Sequence, residues 1–435
     1  MFINEAVRIN SANHLEIGGC DCVDLAKEFG TPLYVMDEGL IRKNCRIFRN
    51  AIDEYLNGNG LVLYASKAFS SMAMYRILHQ EGLGIDVVSG GELYTALKAG
   101  FPMERVYFHG NNKTVSELAM AIDNNVGRIV VDNMQELCNI NKIAAGKNKT
   151  VSVSFRIKPG VEAHTYEFCK TGQTDSKFGI DLEDAFEIFE EASLMKNIRI
   201  TGIHCHIGSQ ILSLEPYKLA TETMLEFAVL LKDKLGVEIQ ELNVGGGFGI
   251  KYVSEDVQID FHKYIEAISE TVKSFCSQNG IKVPFILLEP GRSIVGAAGI
   301  TLYTVGNIKE IKGIRKYVSV DGGMTDNPRY ALYGAKYDGA VANRADAPKV
   351  EKVTIAGKCC ESGDLIGKDM LMPKIEVGDI LAIFATGAYN YSMSSNYNRI
   401  PRPAVVLARD GKARVIVKRE DYNDIIRNDI IPGDL

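Results

Sequence analysis

The sequence predicts an α/β fold, a (β/α)8 barrel of the TIM type followed by an antiparallel β-barrel or β-sandwich domain. Three observations predict it: eight short apolar runs alternate with helical segments, polar or glycine residues follow each run, and helical spacers disappear after residue 292. A doubly wound open sheet is the alternative, and eight regular units favour the barrel over it.

The eight apolar runs have the length and composition of buried strands. They are 61–65, 83–88, 105–109, 128–132, 151–157, 198–207, 239–244 and 284–289. Helical patterns are predicted at 37–57, 71–78, 91–99, 114–125, 133–145, 181–196, 215–235 and 260–279. The barrel is therefore predicted over residues 31–290.

The remainder of the chain, residues 1–30 and 291–435, is predicted to form the β domain. Its apolar runs are rich in valine and isoleucine and are separated by turns, at 300–311, 316–320, 350–356, 379–385, 403–408 and 413–418. Runs without helical spacers are typical of a sheet in which neighbouring strands are antiparallel. Residues 325–346 are expected to be helix and loop.

Composition excludes several classes of function. The 435 residues are 46% hydrophobic and 24% charged with a net charge of −6, which disfavours nucleic-acid and anionic-membrane surfaces. No apolar run approaches the roughly 20 residues of a transmembrane helix, and no secretory signal is evident. Nine cysteines without an export signal suggest reduced thiols in the cytoplasm. Neither Cys20 and Cys22 nor Cys359 and Cys360 have the partners of a zinc site, so no metal is predicted.

The residues that follow the eight predicted strands carry unusual chemistry. Those ends converge on one mouth of a barrel, where active sites are found. In chain order they are Lys67; Ser89 to Glu92; His109 to Asn112; Asp132; Arg156 with Lys158; His204 to Ser209; Gly245 to Gly247; and Glu289 to Arg292. One shared site explains these residues better than eight separate structural reasons.

Lys67 ends the first of these strands, within Tyr-Ala-Ser-Lys-Ala (64–68). Desolvation at a buried strand end favours the neutral amine of lysine, which is the nucleophile of Schiff-base enzymes. The structural alternative is a lysine that extends into solvent at the end of a strand. The other strand ends favour the catalytic interpretation.

The glycines Gly245, Gly246 and Gly247 allow backbone amides to approach an anion closely. A simple glycine turn between strand and helix is the alternative, because neither a Walker nor a Rossmann spacing is present. TIM barrels often bind phosphate with the loops after strands 7 and 8, where this stretch lies together with Gly291 and Arg292. Phosphate binding is therefore predicted here.

Glu289 and His206 complete the predicted site. A buried carboxylate needs a partner, which could be a protonated ring nitrogen or Arg292. His206 could be structural, but its place at a strand end with Ser209 after it favours the mouth. Binding of pyridoxal 5'-phosphate is therefore predicted, because one mouth would contain a lysine, a phosphate site, a carboxylate and a histidine.

The sequence resembles the diaminopimelate decarboxylases, pyridoxal-phosphate enzymes of the alanine racemase-like fold within the ornithine, diaminopimelate and arginine decarboxylase group. The matching stretches span nearly the whole chain. They are Tyr-Ala-Ser-Lys-Ala (64–68), Phe-His-Gly-Asn-Asn-Lys (108–113), His-Cys-His-Ile-Gly-Ser-Gln (204–210), Gly-Gly-Gly-Phe (245–248), Glu-Pro-Gly-Arg (289–292), Asp-Asn-Pro-Arg-Tyr-Ala-Leu-Tyr (326–333), Cys-Glu-Ser-Gly-Asp (360–364) and Gly-Ala-Tyr (387–389).

The resemblance implies a role for each matched residue. Lys67 would form the Schiff base and His206 would stack on the cofactor ring. Glu289 would face the pyridine nitrogen of the cofactor. The implied phosphate residues are Ser209, Gly247, Gly291 and Arg292, to which the glycine loop adds Gly245 and Gly246. The implied substrate residues are Arg292, Arg329, Tyr333, Glu361 and Tyr389, with Tyr389 also beside the cofactor.

Cys360 and Glu361 are implied to come from the partner subunit of a homodimer with shared active sites. Cys360 would donate a proton and Glu361 would bind the distal ammonium of the substrate. The alternative for the adjacent Cys359 and Cys360 is a buried apolar pair in a strand, but the Glu-Ser-Gly-Asp that follows them favours a site loop. Residues 160–168, 171–173 and 176–179 resemble the family's lid, with Tyr166 and Phe168 where histidine and tyrosine are expected.

The implied reaction is decarboxylation of meso-2,6-diaminopimelate at its D-configured end to L-lysine and carbon dioxide, the last step of lysine biosynthesis. Another basic amino-acid decarboxylase on the same scaffold is one alternative, although a pair of arginines suits a substrate with a second carboxylate. A non-catalytic homologue that binds pyridoxal phosphate is the other alternative, and it would have no use for a proton donor such as Cys360.

Overall fold

Eight parallel strands close into a barrel in one of the two units of the chain. The computed structural model describes residues 5–161 and 176–435. The barrel strands are Gly60–Ala65, Gly84–Val87, Val106–Phe108, Arg128–Val131, Val151–Lys158, Ile198–His204, Glu241–Asn243 and Phe285–Leu288. Each strand pairs in parallel with the next, and the eighth pairs with the first. This closure confirms the predicted barrel and excludes the open doubly wound sheet.

Helices follow the barrel strands, and several of their first turns are capped by polar residues. Ser71, Ser89, Thr114 and Asn133 each accept a hydrogen bond from a backbone amide in the first turn of the next helix. These caps end the loops after the first four strands. Glu38–Leu56 precedes the first barrel strand, and the helices after the strands are Met72–Gln80, Gly90–Ala99, Val115–Asp123, Met134–Gly146, Leu182–Ser193, Glu215–Leu235, Phe261–Gln278 and Arg292–Val295.

The second unit is built from sheets, as predicted. Its main sheet has, in spatial order, the strands Leu365–Met372, Glu351–Ala356, Arg315–Val320, Gly299–Ile311, Leu33–Asp37, Ala404–Arg409 and Lys412–Val417. Ile380–Ile383 joins this sheet beside Gly299–Ile311 and also pairs with Gly339–Val341. A separate sheet contains Val7–Ile9, Leu15–Ile17 and Cys20–Asp21. The helices of this unit are Cys22–Phe29, Arg329–Tyr333 and Tyr422–Ile426.

The structure differs from the prediction in how the β unit is assembled. Leu33–Asp37, which the sequence placed at the start of the barrel domain, pairs antiparallel with Gly299–Ile311 and parallel with Ala404–Arg409. Residues 250–257 also belong to this unit. The sheet is therefore not wholly antiparallel, and Arg315–Val320 also pairs in parallel with Glu351–Ala356. A five-residue apolar run predicts a strand but does not indicate its partners.

Each unit has its own apolar core. In the β unit, Leu33, Leu302, Phe384 and Val406 belong to one buried cluster. Inside the barrel, Leu63, Tyr107, Val130 and Leu287 pack together, which is typical of the side-chain layers that fill such barrels. Across the described ranges, no helix has both the length and the apolar character needed to cross a bilayer.

The glycine loop after the seventh barrel strand lies against the ends of its neighbours. A Cβ atom on Gly246 would lie 2.0 Å from the backbone oxygen of Glu289, and one on Gly247 would lie 2.4 Å from that of Gly208. Tyr217 donates a hydrogen bond to the carbonyl of Gly246 at 3.0 Å, which fixes the peptide in place. Glycine is thus required here by the close approach of three strand ends.

We expect Gly246→Ala to lower the free energy of unfolding by about 3 kcal/mol, because backbone atoms cannot yield as a flexible side chain can. Gly146→Ala is the matched control, since no heavy atom lies within 4 Å of its added Cβ. The control should be unchanged or up to about 1 kcal/mol more stable. Urea denaturation followed by circular dichroism measures both, and equal stabilities would contradict the steric explanation.

Candidate active site

Lys67 lies at the mouth of the barrel in a short turn. The first barrel strand ends at Ala65, and Ser66–Ala68 forms a single 3-10 turn in which Ser66 and Ala68 are buried while Lys67 is exposed. The N–H of Ala65 donates to the carbonyl of Pro290 at 3.2 Å, which joins this turn to the end of the eighth strand. The expected burial of the lysine is therefore wrong, but its amine is accessible to an aldehyde.

Glu289 is buried at the end of the eighth strand and has partners from three other strand ends. Its Oε1 accepts a hydrogen bond from Asn243 Nδ2 at 2.7 Å and lies 2.9 Å from His109 Nε2. Its Oε2 lies 3.2 Å from His204 Nε2. Burial would raise the pKa of the Glu289 carboxyl, but His109 and His204 outweigh burial and hold that pKa well below its usual value. The carboxylate is thus ionised in the centre of the barrel.

His206 follows the sixth barrel strand and its ring is held against the glycine loop. The N–H of Gly246 donates to His206 Nδ1 at 3.2 Å. Burial, and then the positive charges of Lys67 and Arg156, lower the pKa of His206 well below its usual value. A neutral imidazole fixed at one nitrogen presents a flat face on which another planar ring can stack.

The predicted phosphate residues are brought together at one side of this mouth. Arg292 Nη2 donates to Ser209 Oγ at 2.9 Å, which connects the turn after the eighth strand with the loop after the sixth. A Cβ atom on Gly291 would lie 2.9 Å from that of Ala65, and Gly245 has a positive φ of 74°. The arginine and hydroxyl are suitable phosphate ligands, while packing alone accounts for the glycines.

Pyridoxal phosphate fits these barrel residues. A buried, ionised carboxylate suits a protonated pyridine nitrogen, and an exposed lysine at the same mouth suits the aldehyde. Ser66 Oγ and Asp86 Oδ1 are buried polar atoms without a hydrogen-bond partner among the described residues, as expected of a polar ligand site.

Sequence reasoning left several buried polar residues of the barrel without a role. Burial raises the pKa of Asp86 to about 6. Asp86 lies on the second strand, and a carboxylate inside an apolar run was the available signal. His109 and His204 were recognised as strand-end residues without a function. Together with Glu289 they offer possible metal-ligand atoms within 4.8 Å of one another, which the cysteine-based prediction of no metal had not considered.

In the β unit, Arg329 is buried among tyrosines. Its Nη1 donates to the hydroxyl of Tyr337 at 2.7 Å and to that of Tyr252 at 3.2 Å. Its guanidinium also lies 5.8 Å from the ring centre of Tyr389. The surrounding tyrosines raise the pKa of Arg329 despite its burial. Among the described residues Arg329 has no carboxylate partner, so a buried positive charge remains for an anionic ligand.

Tyr333 and Tyr389 are the other predicted substrate residues of this unit. Tyr333 ends the short helix that Arg329 begins, and 40% of its surface is exposed. Tyr389 has a φ of 71°, a left-handed conformation that is uncommon outside glycine and is often associated with function.

Cys360 and Glu361 are exposed on a loop that a buried carboxylate organises. Asp364 accepts hydrogen bonds from the backbone amides of Met324 at 2.6 Å and Cys359 at 2.7 Å. The N–H of Cys360 donates to Asn398 Oδ1 at 2.8 Å. Burial, and then Asp364, raise the pKa of the Cys359 thiol to about 11, so the two adjacent cysteines have different environments. Because Cys360 is exposed, the alternative of a buried apolar pair is wrong for it.

The predicted lid, residues 161–177, falls mostly outside the described residues. Tyr166 and Phe168 are among those that the structure does not describe.

Comparison with known proteins places the chain in a family. Residues 38–296 match the pyridoxal-dependent decarboxylase family, pyridoxal binding domain. Diaminopimelate decarboxylase of Bacillus subtilis is 50% identical over 433 residues, 99% of this chain and 98% of that protein. The enzyme of the same name from Bacillus methanolicus is 50% identical over 97% of this chain and 98% of its own length.

A solved structure agrees with these relatives. The crystal structure of diaminopimelate decarboxylase from M. jannaschii, in complex with L-lysine, has a TM-score of 0.94 and 39% identity over 100% of both chains. Identity and coverage at this level, together with the pyridoxal-binding match, show that this chain belongs to the diaminopimelate decarboxylase family of pyridoxal-dependent decarboxylases.

Proposed function

We propose that this chain decarboxylates meso-2,6-diaminopimelate at its D-configured end, releasing L-lysine and carbon dioxide, with pyridoxal 5'-phosphate bound at Lys67. The named relatives support this reaction, and the L-lysine bound in the M. jannaschii enzyme is its expected product. The single observation that carries the substrate is Arg329, a buried guanidinium without a carboxylate partner among the described residues.

Residues of the barrel would hold the cofactor. When bound, pyridoxal phosphate supplies an aldehyde and an electron-withdrawing ring. Lys67 would hold the aldehyde, and His206 would lie against the ring. The ionised Glu289 would face the ring nitrogen. The phosphate would be bound by the remaining predicted residues, Ser209, Gly245, Gly246, Gly247, Gly291 and Arg292.

The substrate has two amino-acid ends, and the enzyme must retain one while it breaks the other. Arg329, together with Arg292, is proposed to bind the carboxylate that is retained, because a planar guanidinium matches a carboxylate with two parallel hydrogen bonds. Tyr333 and Tyr389 would complete this binding, and Glu361 would bind the retained ammonium. Ornithine and arginine lack the second carboxylate, so they would leave Arg329 unpaired.

Loss of carbon dioxide leaves an electron pair on the α-carbon, and a proton must be delivered to that carbon. We assign this delivery to the Cys360 thiol, which is exposed. The loop that carries it is held by the hydrogen bond from the Cys360 N–H to Asn398 Oδ1. Because Cys360 and Glu361 both face solvent in the single chain, they are available to a second copy. A homodimer with shared active sites is part of the proposal.

The cellular location is also proposed. The eight cysteines within the described residues are free, which supports a reducing compartment, and we propose the cytoplasm.

The first experiment tests substrate and product. With pyridoxal phosphate present, the chain should convert meso-2,6-diaminopimelate to L-lysine and carbon dioxide, identified by chiral amino-acid analysis and a coupled assay of carbon dioxide. Lys67→Ala should lose both turnover and the visible absorbance of bound cofactor. Activity on L-ornithine or L-arginine without activity on diaminopimelate would refute the proposed substrate.

The second experiment tests the carboxylate site. Arg329→Gln should lower kcat/KM for diaminopimelate by about tenfold to hundredfold, because it removes a charge-assisted hydrogen bond to the substrate. Arg427→Gln, at an exposed arginine of the same unit, is the matched control and should match the wild type. If both variants keep full kcat/KM, Arg329 does not bind the substrate.

The third experiment compares the adjacent cysteines. Cys360→Ala should retain the cofactor spectrum but lose about 100-fold or more of kcat, as expected for removal of a general acid. Cys359→Ala removes a thiol of similar position but raised pKa and should keep most of the activity. Full turnover by Cys360→Ala would require another proton donor.

A further inference from the structure

We propose that His109, His204 and Asn243 are positioning residues that hold the Glu289 carboxylate in the orientation needed to bind the cofactor's ring nitrogen. This inference rests on the proposed function, because it assumes that pyridoxal phosphate meets Glu289. It assigns roles to three buried residues that are neither the aldehyde lysine nor members of the predicted phosphate site.

The three residues approach Glu289 from different strands and occupy both of its oxygens. Asn243 and His109 contact Oε1, at 2.7 and 2.9 Å. His204 contacts Oε2 at 3.2 Å. All four side chains are buried. Two contacts on one oxygen and one on the other fix both the position and the rotation of the carboxylate plane.

Asn243 is itself held so that its amide nitrogen donates to Glu289. Its Oδ1 accepts the N–H of Gly245 at 2.9 Å, which leaves Nδ2 directed at the carboxylate. Asn243 also pairs in register with His204 on the neighbouring strand. The strand pairing therefore places two of the three contacting residues side by side.

His204 contacts Glu289 through Nε2, at 3.2 Å from Oε2. Burial lowers its pKa to about 4, although Glu289 acts in the opposite direction. Its Nδ1 has no hydrogen-bond partner among the described residues, as expected if the single ring proton is on Nε2. With the ring proton on Nε2, His204 donates a hydrogen bond to Oε2 of Glu289.

His109 contributes differently. Its Nε2 lies 2.9 Å from Oε1, but the N–H is not aligned for a hydrogen bond, so this contact limits the position of the oxygen more than its direction. The N–H of the His109 backbone donates to the carbonyl of Val87 at 2.8 Å. The buried Lys113 donates to the carbonyls of Gly110 and Val130 at 2.8 and 2.7 Å, which fixes the loop that carries His109.

A carboxylate buried without these neighbours would take up a proton, and it could then no longer act as the anionic partner of a protonated ring nitrogen. Loss of one donor should therefore weaken cofactor binding and alter the cofactor's spectrum even when the fold is intact. If these residues were purely structural, substitutions would change stability. Cofactor binding would then be the same for a replacement that donates a hydrogen bond and for one that cannot.

The test compares donor-retaining and donor-lacking substitutions. His204→Gln keeps an amide donor near the position of Nε2, whereas His204→Leu removes it. His109→Gln and His109→Leu form a second pair, and His79→Leu, at an exposed histidine of the barrel unit, is the matched control. The full chain is titrated with pyridoxal phosphate, and the dissociation constant and visible spectrum are recorded without any substrate.

We expect His204→Leu to weaken cofactor binding by about tenfold to hundredfold and to shift the visible band, whereas His204→Gln stays within about threefold of the wild type. The His109 pair should show a smaller difference, because that contact is not directional. Thermal melting followed by circular dichroism identifies variants that fail to fold. If His204→Leu fails to fold, Asn243→Asp provides the second measurement, because it replaces the donor with an acceptor. It should weaken cofactor binding by about tenfold or more, as expected for His204→Leu.

Equal dissociation constants and spectra for the Leu and Gln variants would overturn the inference. Stoichiometric zinc in the purified wild type, lost in His204→Leu, would also overturn it, because Glu289 would then be a metal ligand. These readouts do not involve diaminopimelate. A chain that fails to decarboxylate it but shows the expected cofactor effects refutes the substrate and leaves the inference standing.

Discussion

The barrel half of this protein depends on one buried charge, the carboxylate of Glu289. An isolated carboxylate in such a place would cost several kcal/mol or be neutralised by a proton. Here the ends of three other strands provide the compensating groups, so the closure of the barrel and the ionisation of Glu289 are linked. The glycine loop contributes to the same arrangement, because a Cβ on Gly246 would lie 2.0 Å from the Glu289 carbonyl oxygen.

A comparable arrangement is found in the β unit, with the opposite charge. Arg329 is buried, and tyrosine hydroxyls and rings surround it without neutralising it. Neutral partners hold a guanidinium in place and leave its charge available. Asp364, by contrast, accepts hydrogen bonds from backbone amides and shapes the loop of Cys360. Asp364 is thus satisfied by the protein itself, whereas Arg329 has no carboxylate partner among the described residues.

The sequence predicted the elements well and their interactions poorly. The eight barrel strands lie within about three residues of the predicted bounds, since apolar runs and capping residues are local signals. The exposure of Lys67 was considered only as the structural alternative, because a strand pattern does not indicate how the three-residue turn after it directs the side chain. The partners of Glu289 lie 46, 85 and 180 residues away along the chain, and no periodicity shows which strand-end side chains meet inside a barrel. The tyrosines around Arg329 were missed for the same reason.

Holding a charge for a ligand has a consequence for stability. The groups around Glu289 are already ordered when the barrel folds, so binding of the cofactor need not reorganise them. Replacing them with aliphatic side chains would enlarge the apolar core, but it would remove the anion rather than stabilise it. Under the proposed function, the polar centre of this barrel exchanges stability for a prearranged electrostatic site. His109, His204 and Asn243, which contact Glu289 and not the substrate, are therefore the residues whose substitution tests this electrostatic arrangement most directly.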